Sequence, residues 1–117
     1  MSGPTRYAPL FEPIEIGPKR IRNRFLQVPQ CNGGGTVRPG LQAAHRAVKA
    51  EGGWAAIFTE GCSISLECEA SPYVLATLVD DDDVRNLAVM CDQIHAHGSL
   101  AGVERVHGRV LQLHAGE

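Results

Sequence analysis

Three short stretches put reactive side chains where apolar runs stop: Pro29-Gln30-Cys31, Glu60-Gly61-Cys62 and Glu104-Arg105. Carboxylates at two such places could hydrogen-bond a ring N–H of a bound heterocycle or orient a polar substrate. Two charges facing solvent at a rim would look the same in sequence. Cys31 could be a nucleophile, a covalent anchor for a cofactor, or a small apolar filler, which is the commonest use of a cysteine thiol. Asn32-Gly33-Gly34-Gly35 lacks the Lys-Ser/Thr of a P-loop and the spacing of a dinucleotide fingerprint, so it reads as a hinge-like loop. Ser63 and Ser65 lie outside any G-x-S-x-G context, which makes a hydrolase reading weak. Cys62 and Cys68 have no His pair at zinc-finger spacing, and His95 and His97, two apart in a helical stretch, point to different faces; no metal site is expected.

The composition restricts partners more than chemistry. Over 117 residues, 11 Lys and Arg stand against 13 Asp and Glu. Without a basic cluster there is no electrostatic footprint for nucleic acid or an anionic membrane, and neither is an expected partner. The N-terminus lacks the apolar core of a signal peptide, and no uninterrupted apolar run approaches the roughly 18 residues of a membrane span. A cytoplasmic location is expected, and with it thiols rather than disulfides for Cys31, Cys62, Cys68 and Cys91.

The elements that must position these residues follow from periodicity. Ile14, Ile16 and Ile21 surround Gly17-Pro18-Lys19, a turn signal between two short extended runs, hence a hairpin. Phe25 to Pro29 is a short strand entering the glycine-rich loop. Leu41 to Gly53 is rich in helix formers and ends in paired glycines. Trp54 to Thr59 is an apolar run without alternation, the pattern of a buried parallel strand. A polar loop of about twenty residues, including Ser71-Pro72-Tyr73, comes next, and loops that long usually have a task. Asp80 to Asp83 reads as a solvated helix start, followed by a helix over 83–97 with Val84, Leu87, Ala88, Cys91 and Ile94 on one face. Gly98 stops it, and Leu100 to Glu104 is a third parallel strand. The order is βαβαβ, which begins either a doubly wound sheet or a (β/α)8 barrel, and an N-terminal hairpin able to cap a barrel bottom favours the barrel.

The stretch LFEPIEIGPKRIRNRF resembles the opening of the Old Yellow Enzyme class of FMN-dependent (β/α)8 TIM-barrel oxidoreductases. FLQVPQC, QAAHRAVKAEGGWAAIFTEGCSIS and DDDVRNLAVMCDQIHAHGSLAGVE look like its amine dehydrogenase branch, that of trimethylamine, dimethylamine and histamine dehydrogenases. The resemblance divides the chain into a tail over 1–9, an N-terminal portion of an FMN-binding barrel over 10–104, and a divergent tail over 105–117. It implies FMN, attached covalently through Cys31, with the Pro29 backbone against the flavin and with Glu60 and Glu104 facing the ring's polar edge. It further implies a small amine substrate for the complete enzyme and oxidation of a C–N bond with onward electron transfer. The branch's 4Fe-4S cluster is not expected on these residues.

Three departures from the branch pattern stand out. Gly61 occupies the place of a Tyr that encloses substrate ammonium by cation–π contact, Gln30 stands where relatives carry His, and only His107 and Gly108 fit the family's continuation after Glu104. The last suggests a frameshift or truncation. A complete barrel needs about 250 residues, so the expectation is an incomplete barrel, inactive alone and marginally stable or prone to association through open sheet edges. The alternatives are an ene-reductase-like member using nicotinamide and non-covalent FMN, and a non-catalytic module that pairs with a complementing chain or with itself.

Overall fold

In the computed structural model, residues 5–68 and 76–107 are described. The loop around Ser71-Pro72-Tyr73 and the tail from residue 108 lie outside them.

After a single 3-10 turn over Ala8–Phe11, β1 (Ile14–Ile16) and β2 (Lys19–Ile21) pair antiparallel with Ile16 opposite Lys19. The two-residue connection carries Gly17 at φ 54°, a sign that glycine adopts without the Cβ clash other residues suffer. From the hairpin's end, Arg22 reaches across the base of the molecule. Its guanidinium donates to the carbonyls of His97 (2.8 Å), Ala50 (3.1 Å) and Trp54 (3.2 Å) and to Ser99 Oγ (3.0 Å). The hairpin is thereby tied to the segments that enter two of the strands from below.

The sheet is parallel. β4 (Ala56–Ser63) pairs along its whole length with β6 (Leu100–Val106). Its other edge is shared: β3 (Leu26–Gln27) pairs at Ala56 and Ile57, and the two-residue β5 (Ala76–Thr77) pairs at Cys62 and Ser63. β4 therefore runs four residues beyond Thr59, where the expected strand ended, and Glu60, Gly61 and Cys62 are strand residues rather than the start of a loop. The long loop also contributes a strand of its own, β5. A register shift between Phe58 and Gly61 marks a β-bulge in the extended part, a device that re-aims side chains.

Helix α1 (Pro39–Glu51) starts two residues before the expected Leu41 because proline, lacking an N–H and fixed near helical φ, suits the first turn. Gly53 at φ 102° turns the chain out. Helix α2 (Asp81–His95) also begins earlier than expected. Asp80 Oδ1 accepts from Asp83 N–H (2.9 Å), and Asp83 Oδ2 accepts from Val79 N–H (3.0 Å). This is a reciprocal cap of the capping-box kind. Asp83 is consequently buried, at 3% exposure, so the acidic run is only partly a solvated face.

Both helices pack on the same face of the sheet, and chain order follows spatial order from β3 through β4 to β6. Ala43 and Ala50 of α1, Met90 and Ile94 of α2, and Ile57 of β4 form the core, flanked by Leu87, Cys91 and Ala101. Met90 takes the inward place expected of Val84 and Ala88, which face outward. The apolar face is rotated because Asp83, fixed by the cap, already points inward. Removing such aliphatic surface from water contributes about 25 cal/mol per Å². No described helix is long and apolar enough to cross a membrane.

Candidate functional site

The carboxyl ends of parallel strands are where α/β folds collect their chemistry. Here the ends of β3 and β4 meet the N-terminal half of α1. Arg46 is the centre of the arrangement and is only 1% exposed. Its Nε donates to the Phe58 carbonyl (2.8 Å) and one terminal nitrogen to the Gln30 carbonyl (2.7 Å). Its other terminal nitrogen donates to Gln42 Oε1, and Gln42 Nε2 donates in turn to Glu60 Oε1. Gln42 and Arg46 are one helical turn apart, so both face the strand ends together. Glu60 is fully buried at 0% exposure. Its Oε2 meets no N–H or O–H donor among the described residues.

Cys31 follows directly on the residue whose carbonyl Arg46 holds. It is exposed, and its thiol lies against Glu60. A hydrogen bond to that carboxylate pushes the thiol pKa up; the Gly33 backbone N–H pulls the other way, desolvation and the Glu60 charge raise it further, and the Arg46 charge lowers it. Burial pulls Arg46 below its usual range, while the charge of Glu60 opposes this. The following loop is organised by Asn32, whose Oδ1 accepts from Gly34 N–H (2.9 Å). Thr36 Oγ1 accepts from Thr77 N–H (2.8 Å) and lies 2.7 Å from Thr77 Oγ1, which fastens the loop to β5. The hinge-like loop of the sequence reading is thus pinned at its far end.

The structure brings Cys31 and Glu60 together but does not join Glu60 with Glu104. Glu104 pairs in register with Gly61, one residue further along β4, and strand alternation turns that position to the opposite face from Glu60. A Cβ built on Gly61 would sit 2.9 Å from Val106 Cγ2 and 3.5 Å from Glu104 Oε2. Glu104 itself is exposed, with its backbone N–H donating to Thr59 Oγ1 (3.0 Å). Pro29 is half-buried, next in the chain to the Gln30 carbonyl that Arg46 holds. Cys62 is buried within β4, and burial pushes its thiol up. His95 and His97 are exposed helix-end residues, and the His97 carbonyl serves the Arg22 tie.

Sequence reading passed over Gln42 and Arg46, which counted only as helix formers. Their signal was available: a polar pair at i and i+4 on the face that also carries Ala43 and Ala50, where aliphatic residues are the rule. A heterocycle with a polar edge would find unused capacity in this region. Gln27 Oε1 is a buried acceptor and Asn32 Nδ2 a buried donor without partners among the described residues, and Glu60 Oε2 meets no N–H or O–H donor there. These groups fit a flavin in kind.

The family model for the NADH:flavin oxidoreductase / NADH oxidase family matches residues 9–113. The chain is 52% identical over 108 residues to dimethylamine dehydrogenase of Hyphomicrobium sp. (strain x), covering 92% of this chain and 15% of that protein. Among solved structures it superposes on histamine dehydrogenase from Rhizobium sp. 4-9 with a TM-score of 0.82 at 44% identity, over 86% of this chain and 16% of that one. It matches 6-hydroxypseudooxynicotine amine oxidase from Pseudomonas geniculata N1 with the same TM-score at 36% identity, over 92% of this chain and 16% of the other. The chain therefore spans only about a sixth of the length of these relatives. The open sheet corresponds to the N-terminal part of a TIM-barrel oxidoreductase. With a match over most of its length and an amine dehydrogenase at half-identity, the chain belongs to the NADH:flavin oxidoreductase / NADH oxidase family.

Proposed function

We propose that this chain is the flavin-anchoring first portion of an FMN-dependent enzyme that oxidises a C–N bond of a small amine, with residues 10–104 forming its share of the barrel. The carrying observation is the position of Cys31, an exposed thiol at the end of the first barrel strand with its preceding carbonyl held by a buried arginine. Such anchoring pre-organises a thiol at the strand-end face, where a ring would lie. FMN, when bound, supplies the hydride-accepting chemistry. The chain's own residues would bind and orient it: Cys31 as covalent attachment, the Pro29 backbone along the ring, and Glu60 Oε2 as an acceptor for its polar edge, with Glu104, turned to the other face of the sheet, outside that edge. The 4Fe-4S cluster of the wider branch has no place in this reading of these residues. The open β3 and β6 edges are where the rest of a barrel, in the same polypeptide, a complementing chain or a second copy, would pair. Cytoplasmic residence accords with reduced thiols.

The test is denaturing mass spectrometry of the chain expressed with FMN available. The expected result is a mass increase of about one FMN that survives unfolding and disappears in Cys31→Ala. An unmodified mass would count against anchoring by this stretch, and an adduct retained in Cys31→Ala would move the attachment elsewhere.

A further inference from the structure

β3 stops short of the thiol it leads to. Its register with β4 ends at Gln27 opposite Ile57, and the chain runs through Val28, Pro29 and Gln30 before it reaches Cys31. Over these residues side chains take over from the backbone ladder. The Val28 carbonyl accepts from Gln27 Nε2 (3.0 Å). Pro29 has no N–H to give to a neighbouring strand. The Gln30 carbonyl accepts from a terminal nitrogen of Arg46 (2.7 Å), and on the adjacent strand the Phe58 carbonyl accepts from Arg46 Nε (2.8 Å). One guanidinium from α1 therefore spans the tips of β3 and β4 where their pairing has ended. Its N–H groups are fixed in a single plane, so neighbouring donors hold two acceptors at a set spacing, which a compact ammonium does not do. At 1% exposure for Arg46, water hardly competes for either carbonyl.

We propose that Arg46 is the positioning residue for Cys31: α1, through this one side chain, decides where the tip of β3 and the thiol after it stand, and the pairing of β3 with β4 does not. Packing offers the tip little help. Val28 is 62% exposed, and the buried apolar cluster draws on α1, α2 and Ile57 of β4 but on no residue of β3. Downstream of the thiol, the loop is fastened to β5 at Thr36, whose Oγ1 accepts from Thr77 N–H (2.8 Å). Arg46 thus supplies the fixed point on the upstream side, one residue from the sulfur-bearing Cα. A sulfur meant for one atom of a bound ring tolerates little displacement, since small misplacements are costly in rate. What the placement serves rests on the flavin reading above. The placement itself needs no flavin, so the two can fail separately.

The experiment is backbone amide relaxation by NMR on the full chain without flavin. In the wild type the Gln30, Cys31 and Asn32 amides are expected to be as rigid as those of β4, with order parameters of about 0.85. Arg46→Lys keeps a cation for Gln42 but cannot span both carbonyls. There the same three amides are expected to fall below about 0.6, while α2 and β6 keep their wild-type values. Gln42→Met removes the bond from Arg46 to the Gln42 amide and leaves both carbonyl bonds, so the tip is expected to stay rigid. A mobile tip in the wild type would overturn the proposal without any variant, as would a folded Arg46→Lys chain whose tip is rigid. An Arg46→Lys chain that unfolds or loosens throughout would overturn it too, because the arginine would then support the whole fold, and so would a tip loosened equally in Gln42→Met. With FMN present, Arg46→Lys should also lower the yield of adduct that survives unfolding severalfold. A wild type with a rigid tip and no adduct would sink the flavin reading and leave the placement standing.

Discussion

A single aspartate shows how local chemistry fixes an element's start. Asp80 caps α2 through Asp83 N–H, and Asp83 answers by accepting from Val79 N–H. Asp80→Ala should cost about 1 kcal/mol of stability in chemical denaturation, and Asp80→Asn much less, because the amide oxygen can still accept. The thiols carry a pH signature. Burial pushes Cys62 and Cys91 up relative to their ordinary values. A raised folded pKa means that their contribution to stability is fully present below the unfolded thiol range and is lost as pH rises through it, from about 8.5 upward. The melting temperature should therefore fall on the alkaline side, and less steeply in Cys91→Ala, where one of the shifted thiols is gone. Of the four site residues expected from sequence, Cys31 and Glu60 do meet. Their meeting was not legible, because it depends on β4 continuing past Thr59 and on a bulge that no pattern of apolar residues announces.

At the level of elements, the apolar patterns carried most of the information. The hairpin, α1, α2 and the three principal strands all exist where periodicity and glycine punctuation put them, although both helices start two residues early and β4 runs on past Thr59. What was missed was held by tertiary contact. β5 is two residues long and exists because Thr36 and β4 offer it partners; nothing in Ala76-Thr77 demands a strand. The inward turn of Met90 follows from Asp83 being drawn in by its cap, and a helical wheel drawn on hydropathy alone places an aspartate outside. Between β4 and β6 the fit is close: a Cβ on Gly102 would overlap the ring of Phe58. Gly102→Ala should destabilise the chain by about 1–3 kcal/mol in thermal or urea unfolding. Combining it with Phe58→Leu should recover part of that loss, a non-additivity expected only if the two positions touch.

Over the whole molecule, stability and chemistry occupy opposite ends of the sheet. Arg22 gathers the lower end, while Arg46 organises the upper, and the two arginines share no partner residue. Arg22→Met should lower stability by about 1–3 kcal/mol in chemical denaturation through loss of charge-assisted hydrogen bonds. A barrel reading was legible in the chain order and the resemblance, but not the division of labour between two arginines that sequence presents as ordinary cations. The lower tie also has a temporal consequence. Arg22 and Ser99 are 77 residues apart in the chain, so during synthesis the tie through Arg22, though it can reach Ala50 and Trp54 earlier, stays incomplete until β6 leaves the ribosome. Nascent chains halted ahead of Ser99 should be open to protease and those extended past it protected, so that translation itself decides when the base of the fold closes.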